Sequence, residues 1–284
     1  MRSLELPGGG AIPRLGLGTW RMGESEPRRA AEVAAVRAAV EMGYRLIDTA
    51  EMYGEGGAEE VVGEALAQTL RAGEARREDL FVVSKVYPQN ASREGTQLAC
   101  ARSRRRLKLD RIDLYLLHWR GHHPLAETCE ALESLVAKGW IGRWGVSNFD
   151  VDDMAELARL PQGAGCATNQ VYFALSERGP EYALLPQLRA QGIPLMAYSP
   201  LGQGELAEHR ALRAVGERVG ASAAQVALAW LLAQPGVVGI PKAVREAHLR
   251  SNLAASTLRL EAGDLAQIDR LFPPPQAKTP LAVL

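Results

Sequence analysis

The stretch Arg45–Gly54, RLIDTAEMYG, decides the fold. Leu46 and Ile47 form a short apolar run that stops at Asp48, and Tyr53 follows on what must be a loop. An ionisable pair at the carboxyl end of a buried strand is poor core packing. It makes chemical sense if the strand belongs to a closed parallel barrel, whose strand ends form the reactive face. Working outward, the pattern repeats. Leu80–Val83 runs into Ser84 and Lys85, and Ile112–Leu117 stops at His118. Adjacent strand ends are neighbours in a barrel, so Asp48, Tyr53, Lys85 and His118 are expected to converge as a catalytic tetrad.

The rest of the chain keeps the rhythm. Further strands are expected at Leu15–Gly18, Gly142–Val146, Thr168–Val171, Ile193–Tyr198 and Val237–Ile240, and the strand of the opening stretch at Arg45–Asp48. Between them, apolar residues at helical spacing predict helices over Arg28–Met42, Ala58–Leu70, Ser92–Leu107, Leu125–Lys138, Met154–Leu160 and Tyr182–Ala190. Helices over Ala211–Val219, Ala223–Leu232 and Arg245–Ala255 complete the series. Eight alternations of short apolar strand and amphipathic helix imply a parallel sheet covered on its outer face. With no composition shift or linker, one α/β unit over residues 1–284, a single (β/α)8 TIM barrel, is the simplest arrangement. Before it, Ser3–Gly10 reads as a β-hairpin turning at Pro7-Gly8-Gly9-Gly10. After it, Pro273-Pro274-Pro275 forces an extended tail that can lie against the barrel mouth.

Composition narrows the class. The 284 residues are 47% hydrophobic, enough for a large core, and 33 basic residues balance 33 acidic ones. Neutral charge gives no reason to expect nucleic acid or a membrane surface as partner. The basic run Arg102–Lys108 therefore reads as the solvated face of an outer helix. Cys100, Cys129 and Cys166 are odd in number and widely spaced, as for free thiols in a reducing compartment. The N-terminal MRSLELPGGG has no apolar h-region, and no run reaches the roughly 18 apolar residues of a membrane helix. A soluble cytoplasmic protein is expected, and a monomer needs no further assumption.

The tetrad suggests proton donation to a carbonyl oxygen. A tyrosine titrates at about 10, high for a donor at neutral pH. A nearby lysine ammonium is expected to lower that value, with Asp48 holding Lys85 charged and His118 orienting the same oxygen. Each residue alone has a bland reading: a structural salt bridge, a surface aromatic, a satisfied core histidine. Four at the ends of consecutive strands favour function. His118, His122 and His123 are close in sequence, but no carboxylate pattern completes a coordination set, and no metal is expected.

On these residues the chain resembles the aldo-keto reductase family over essentially its whole length, most closely its compact, short-loop bacterial type. The motifs that carry the resemblance are LGLGTW at Leu15–Trp20, LIDTAEMYG at Leu46–Gly54, SKV at Ser84–Val86 and IDLYLLHW at Ile112–Trp119. They continue with GVSNF at Gly145–Phe149, NQV at Asn169–Val171, AYSPLGQG at Ala197–Gly204 and GIPKA at Gly239–Ala243. The resemblance implies that Tyr53 is the general acid, with Asp48, Lys85 and His118 as its partners. It implies that Ser147, Asn148 and Gln170 hold the nicotinamide carboxamide and that Tyr198 stacks on its ring. The loop Ser199, Pro200, Leu201 through Gln203 would cover the pyrophosphate, and Lys242 would sit near the adenosine 2′-phosphate. Further cofactor contacts are implied at Gly18, Thr19, Asp48, Ala243, Arg245, His248 and Asn252. Trp20, Met52, Tyr53, Tyr87, His118 and Trp119 would line the substrate pocket. The reaction implied is hydride transfer from NADPH to a small aldehyde, ketone or dicarbonyl such as methylglyoxal. The alternative is a nicotinamide-binding regulatory or interaction module with little turnover.

One departure bears on the cofactor. Many members carry an arginine six residues after the lysine of the GIPK motif, where this chain has His248. A neutral histidine is a weaker phosphate partner than the fixed fork of arginine. Lys242 still favours NADPH, Arg245 and Arg250 are candidates to compensate, and NADH is admitted as a second cofactor.

Overall fold

A computed structural model describes residues 3–284; residues 1 and 2 of the expected unit lie outside it. The strands are β1 (Ser3–Glu5), β2 (Ala11–Pro13), β3 (Gly16–Gly18), β4 (Leu46–Asp48), β5 (Phe81–Val86), β6 (Ile112–Leu117), β7 (Ile141–Ser147), β8 (Cys166–Tyr172), β9 (Leu195–Tyr198) and β10 (Val237–Gly239). The helices are α1 (Glu26–Glu41), α2 (Gly57–Ala72), α3 (Arg93–Leu107), α4 (Leu125–Ala137), α5 (Val151–Arg159), α6 (Leu184–Ala190), α7 (Glu205–Glu208), α8 (Arg210–Val219), α9 (Ala223–Ala233), α10 (Glu246–Ala255) and α11 (Ala262–Leu271). Among the described residues no helix is long and apolar enough to cross a membrane.

Strands β3 to β10 pair in parallel, in sequence order, as one eight-stranded sheet. The sheet closes on itself where β3 meets β10, through bridges Leu15–Gly239 and Gly18–Lys242 and the bond from Gly18 N to Pro241 O at 3.1 Å. Closure demands glycine at position 18, where a Cβ would sit 2.7 Å from Ile240 O. Alternation along each strand then sorts the residues into two cores. Leu46, Val83, Leu114, Leu116, Ala167, Met196 and Val238 fill the barrel interior. Ile47, Val82, Val86, Tyr115 and Leu117 face the ring of helices. The β1–β2 hairpin plugs the end where the strands start, packing Leu6 and Ile12 into the interior core. Arg143 on β7 holds it there through the carbonyls of Pro7 and Gly9.

The strand and helix series follows the sequence reading closely, with corrections: the hairpin extends past the expected Ser3–Gly10, its second strand β2 lying at Ala11–Pro13, and the one-turn α7 had no expected counterpart. Strand β5 continues through Ser84 and Lys85 to Val86, so Lys85 lies inside a strand and not after it. Helix α11 has no counterpart in the sequence reading, because only Asp264 and Ile268 of its ten residues are buried and its apolar stripe is thin. The basic run is only partly solvated: Arg102 and Arg106, one helical turn apart on α3, reach inward to Glu51 and Glu59. The tail after Pro273 is extended, as expected. It crosses the mouth, where Lys278 reaches Asp150 and Asp152 and the Leu284 amide donates to Tyr198 Oη at 3.4 Å.

Candidate active site

The same alternation that fills the barrel with apolar residues places polar ones as its top layer. Asp48 follows Leu46 inward on β4, Lys85 follows Val83 on β5, and His118 follows Leu116 just past β6. Asp48, Lys85 and His118 are all buried, so their charges are decided by one another. Lys85 Nζ donates to Asp48 Oδ2 at 2.8 Å, to Thr49 O at 2.9 Å and to Tyr53 Oη at 3.2 Å. Those three bonds use every hydrogen of an ammonium group. Asp48 Oδ1 accepts from Gln170 Nε2 at 2.7 Å, so both its oxygens meet donors, as an ionised carboxylate requires. Burial pulls Lys85 down, but Asp48 and Tyr53 together hold it above the ordinary lysine value. Burial likewise raises Asp48, offset in part by Lys85 and Gln170. Lys85 is thus an ammonium at neutral pH, and the two donors on Asp48 suit its carboxylate form.

Tyr53 opens a 3-10 turn, Tyr53–Gly56, and the turn is contorted: Gly54, Glu55 and Gly56 have φ of 56°, 54° and 97°. The loop at Gly23 braces it, since a Cβ at Gly23 would lie 2.1 Å from the Gly57 carbonyl carbon. Lysine can only donate, so the bond from Lys85 takes a lone pair of Tyr53 Oη and leaves the phenolic hydrogen to point elsewhere. The expectation that Lys85 lowers the phenol below its usual value is corrected. Burial pushes Tyr53 up, Lys85 pulls it back only in part, and the Asp48 charge works against Lys85. Tyr53 is therefore fully protonated at neutral pH.

His118 stands beside it, ring to ring 5.7 Å from Tyr53 and nearly perpendicular at 73°. Burial, with Lys85 adding to it, holds the imidazole well below its usual range, so the ring is neutral. Its Nδ1 is buried without a partner, which leaves Nε2 as the nitrogen able to meet a ligand. Trp119 packs against His118 at 4.8 Å and Tyr87 meets Trp119 edge-on at 5.1 Å. This aromatic wall adjoins Tyr53; Met52 is exposed at the rim, and Trp20 carries Arg21 over its ring at 4.4 Å. The arrangement can donate a proton and hydrogen-bond the accepting oxygen beside an aromatic wall.

The residues expected to hold a cofactor line the other side of the mouth. Ser147 Oγ donates to Gln170 O, and Asn148 Nδ2 donates to His118 O and Ser147 Oγ. Tyr198 Oη donates to Asn148 Oδ1 at 3.0 Å, and its ring stacks on Tyr172. Since the Gln170 nitrogen is committed to Asp48, its carbonyl is the end left to accept a carboxamide hydrogen. Ser199, Gly202 and Gln203 have φ of 46°, 56° and 55°, and Pro200 and Leu201 lie within this tight loop at the end of β9. Thr19 donates to Asp48 O at 2.9 Å and is fully buried, and Gly18 serves barrel closure, so both read as framework beside the site. Lys242 is exposed at the mouth; burial lowers its pKa, and Arg28 and Arg21 nearby add to that while Glu32 opposes it. Arg245 and His248 are exposed near it, while Ala243 and Asn252 are buried. Arg250 is paired with Glu246 at 2.5 Å on the exposed face of α10.

Sequence reasoning missed two contributors. Arg21 adopts a φ of 63° over Trp20 and is one of the mixed charges that act on Lys242, with Glu32, Arg28 and Glu24; its only signal was a charge beside an aromatic. Glu51, inside the opening motif, is 8% exposed and bonded to the next loop; a charge in an otherwise buried stretch was the clue. His122 and His123 lie side by side near His118, and among the described residues no group of three or more His, Cys, Asp or Glu is placed to hold a metal ion.

Known proteins resemble this chain over nearly its whole length. A sequence model of the Aldo/keto reductase family matches residues 14–272. The chain is 47% identical to methylglyoxal reductase YeaE of Escherichia coli (strain K12) over 285 residues, covering 99% of this chain and 98% of that one. It is 38% identical to glyoxal reductase of Bacillus subtilis (strain 168), covering 95% and 92%. Among solved structures, an aldo/keto reductase from Klebsiella pneumoniae in complex with NADP and acetate superposes with a TM-score of 0.94 at 47% identity, covering 99% of each chain.

Proposed function

The chain belongs to the aldo/keto reductase family, and from that premise we propose that it reduces small aldehydes and ketones, dicarbonyls such as methylglyoxal among them, with NADPH. The observation that supports this reading is the bond from Lys85 to the Tyr53 oxygen, which takes a lone pair and leaves the phenolic hydrogen of a protonated Tyr53 free to be donated elsewhere. NADPH supplies the hydride. Tyr53 donates the proton to the carbonyl oxygen, and neutral His118 donates a hydrogen bond that orients it. Lys85 stabilises the phenolate left behind, and Asp48 keeps Lys85 charged and aimed. In the unliganded protein burial outweighs Lys85, so proton transfer is driven by the negative charge that develops on the substrate oxygen.

The residues present fit the cofactor. The Gln170 side-chain carbonyl is left to accept from the carboxamide, and the Asn148 amide would meet it by giving up its bonds to His118 O and Ser147 Oγ; Tyr198 offers a ring, and the tight loop Ser199–Gln203 offers backbone to the pyrophosphate. Lys242 is the candidate partner for a 2′-phosphate, with Arg28 and Arg21 adding positive charge against Glu32 and Glu24. Mixing the protein with methylglyoxal and NADPH is expected to consume NADPH and yield the hydroxy-carbonyl product. NADPH binding without turnover of any of a panel of small aldehydes would instead favour a nicotinamide-binding regulatory module.

His248 tunes the choice of cofactor. It is exposed at the position where an arginine fork would reach the 2′-phosphate. His248→Arg is expected to tighten NADPH about fivefold, the scale of one exposed charge contact of about 1 kcal/mol, and to leave NADH unchanged. Fluorescence titration of both cofactors checks it; equal tightening of both would place the new charge away from the 2′-phosphate.

A further inference from the structure

The loop after β4 and the loop after β5 carry Tyr53 and Tyr87, the proton donor and a wall of the pocket. One side chain joins them. Glu51, two residues before Tyr53, accepts from the Tyr87 backbone amide at 2.8 Å and from Asn90 Nδ2 at 3.0 Å, both through Oε1. Its own amide donates to Lys85 O at 3.4 Å, so residue 51 grips the end of β5 on both sides of Val86. The other carboxylate oxygen faces α3, where Arg102 Nη2 lies at 3.3 Å and Arg106 Nη2 at 4.0 Å.

Arg106 extends the same tie. Its Nε donates to Glu59 Oε2 at 2.6 Å, and Glu59 Oε1 accepts from Ser84 Oγ at 2.5 Å, on the residue beside Lys85. Its guanidinium lies flat against the turn that Tyr53 opens: a Cβ at Gly56 would meet Arg106 Nε at 2.6 Å and Cδ at 2.7 Å. Two buried carboxylates and two guanidiniums thus meet behind the site. Buried ion pairs of this kind contribute little net stability, because desolvation offsets attraction, and their better-attested use is to specify one geometry. The turn at Tyr53 needs such a hold, since Glu55 sits at a φ of 54° that a residue with a Cβ adopts only under constraint.

We propose that Glu51 is a positioning residue for carbonyl reduction: its carboxylate, neutralised from α3 by Arg102 and Arg106, locks the Tyr53 loop to the Tyr87 loop. The inference rests on the reductase reading. It acts on the reacting geometry and not on cofactor affinity, because Glu51 lies on the helix side of the barrel wall, away from Ser147, Asn148 and Tyr198. Misplacement of a donor by about 1 Å can cost on the order of a hundredfold in rate.

The test compares Glu51→Ala, Glu51→Gln and Arg102→Gln with wild type. Three readouts are taken: kcat and KM for methylglyoxal with NADPH, NADPH affinity by fluorescence, and amide hydrogen exchange. Glu51→Ala is expected to lower kcat by at least about tenfold with NADPH affinity within about twofold of wild type. Exchange should quicken together at Tyr87 and across residues 50–56. Glu51→Gln keeps a carbonyl for the Tyr87 amide and is expected to restore most of kcat. Arg102, with a side chain 40% exposed, can change without threatening the fold. Arg102→Gln should give a smaller fall in kcat with faster exchange in both loops. A lower melting temperature with unchanged kcat in Glu51→Ala would make the residue merely structural and overturn the proposal. So would a Glu51→Gln as impaired as Glu51→Ala. If Glu51→Ala does not fold, Arg102→Gln with unchanged kcat and unchanged exchange overturns it. If wild type reduces no aldehyde, the reductase reading fails by itself, and unchanged exchange at Tyr87 in the variants separately refutes the tie between the loops.

Discussion

Tyr53→Phe is expected to lower kcat for carbonyl reduction by about a hundredfold to ten-thousandfold, the usual weight of a general acid, while NADPH binds as before. The substitution removes one oxygen from a well-anchored group. Lys85 keeps its bonds to Asp48 and Thr49 O, and the phenyl ring keeps its place beside His118, so neither the fold nor the cofactor side of the mouth is disturbed. The pH dependence carries a sign. Donation needs the protonated phenol, which exists below its pKa, and burial raises that pKa above the ordinary tyrosine value. Wild-type kcat should therefore be flat through neutral pH and fall only above about 10, in the range of tyrosine titration or beyond it. The residual rate of Tyr53→Phe should lack that alkaline fall. A variant with full activity, or a wild-type limb below neutral pH, would move the proton donor to another group.

Much of this was legible in the letters, for a physical reason. A barrel strand alternates inward and outward, so Leu46 and Asp48, Val83 and Lys85, Leu116 and His118 had to share the interior face, apolar below and ionisable above. That parity alone turns Asp48, Lys85 and His118 inward, and Tyr53 joins them from the turn after β4. What the letters did not carry was energetic balance. The pattern gives Lys85 beside Tyr53 but not the depth of burial, and it is burial that raises the phenol instead of lowering it. Nor does helical spacing say which way a long side chain bends. Arg102 and Arg106 look like surface charges on α3 until Glu51 and Glu59 are found beneath them. Helix α11 was invisible for a related reason: it docks through Ile268 and half-buried Leu265 and otherwise through polar ties of Asp264, Gln267 and Asp269 to Arg218 and Arg178, which imprint no apolar period on the sequence.

Lys85→Met separates the chemical role of the ammonium from its structural one. Methionine matches the stem but supplies no donor, so Asp48 is left buried with only Gln170 to bond and no opposite charge, a situation that costs about 3–5 kcal/mol when a buried pair loses one partner. A clear fall in melting temperature is expected at neutral pH. Asp48, already raised by burial, loses the charge that offsets it and rises further. A carboxyl whose folded pKa lies above its unfolded value binds its proton more tightly when folded. The deficit is therefore present above that folded pKa, and it narrows as pH falls towards the unfolded value of about 3.9. Thermal scans from neutral to mildly acid pH read this directly. Activity should respond differently. Without Lys85 nothing cationic stabilises the phenolate, so kcat drops by at least about a hundredfold and any alkaline limb moves to higher pH. The double variant Asp48→Asn with Lys85→Met removes the unpaired charge. It should recover much of the lost stability and none of the lost kcat, because the ammonium acts on Tyr53 while the carboxylate acts on the ammonium. Recovery of both would mean that Lys85 serves only to neutralise Asp48, and Tyr53 would then donate its proton unaided.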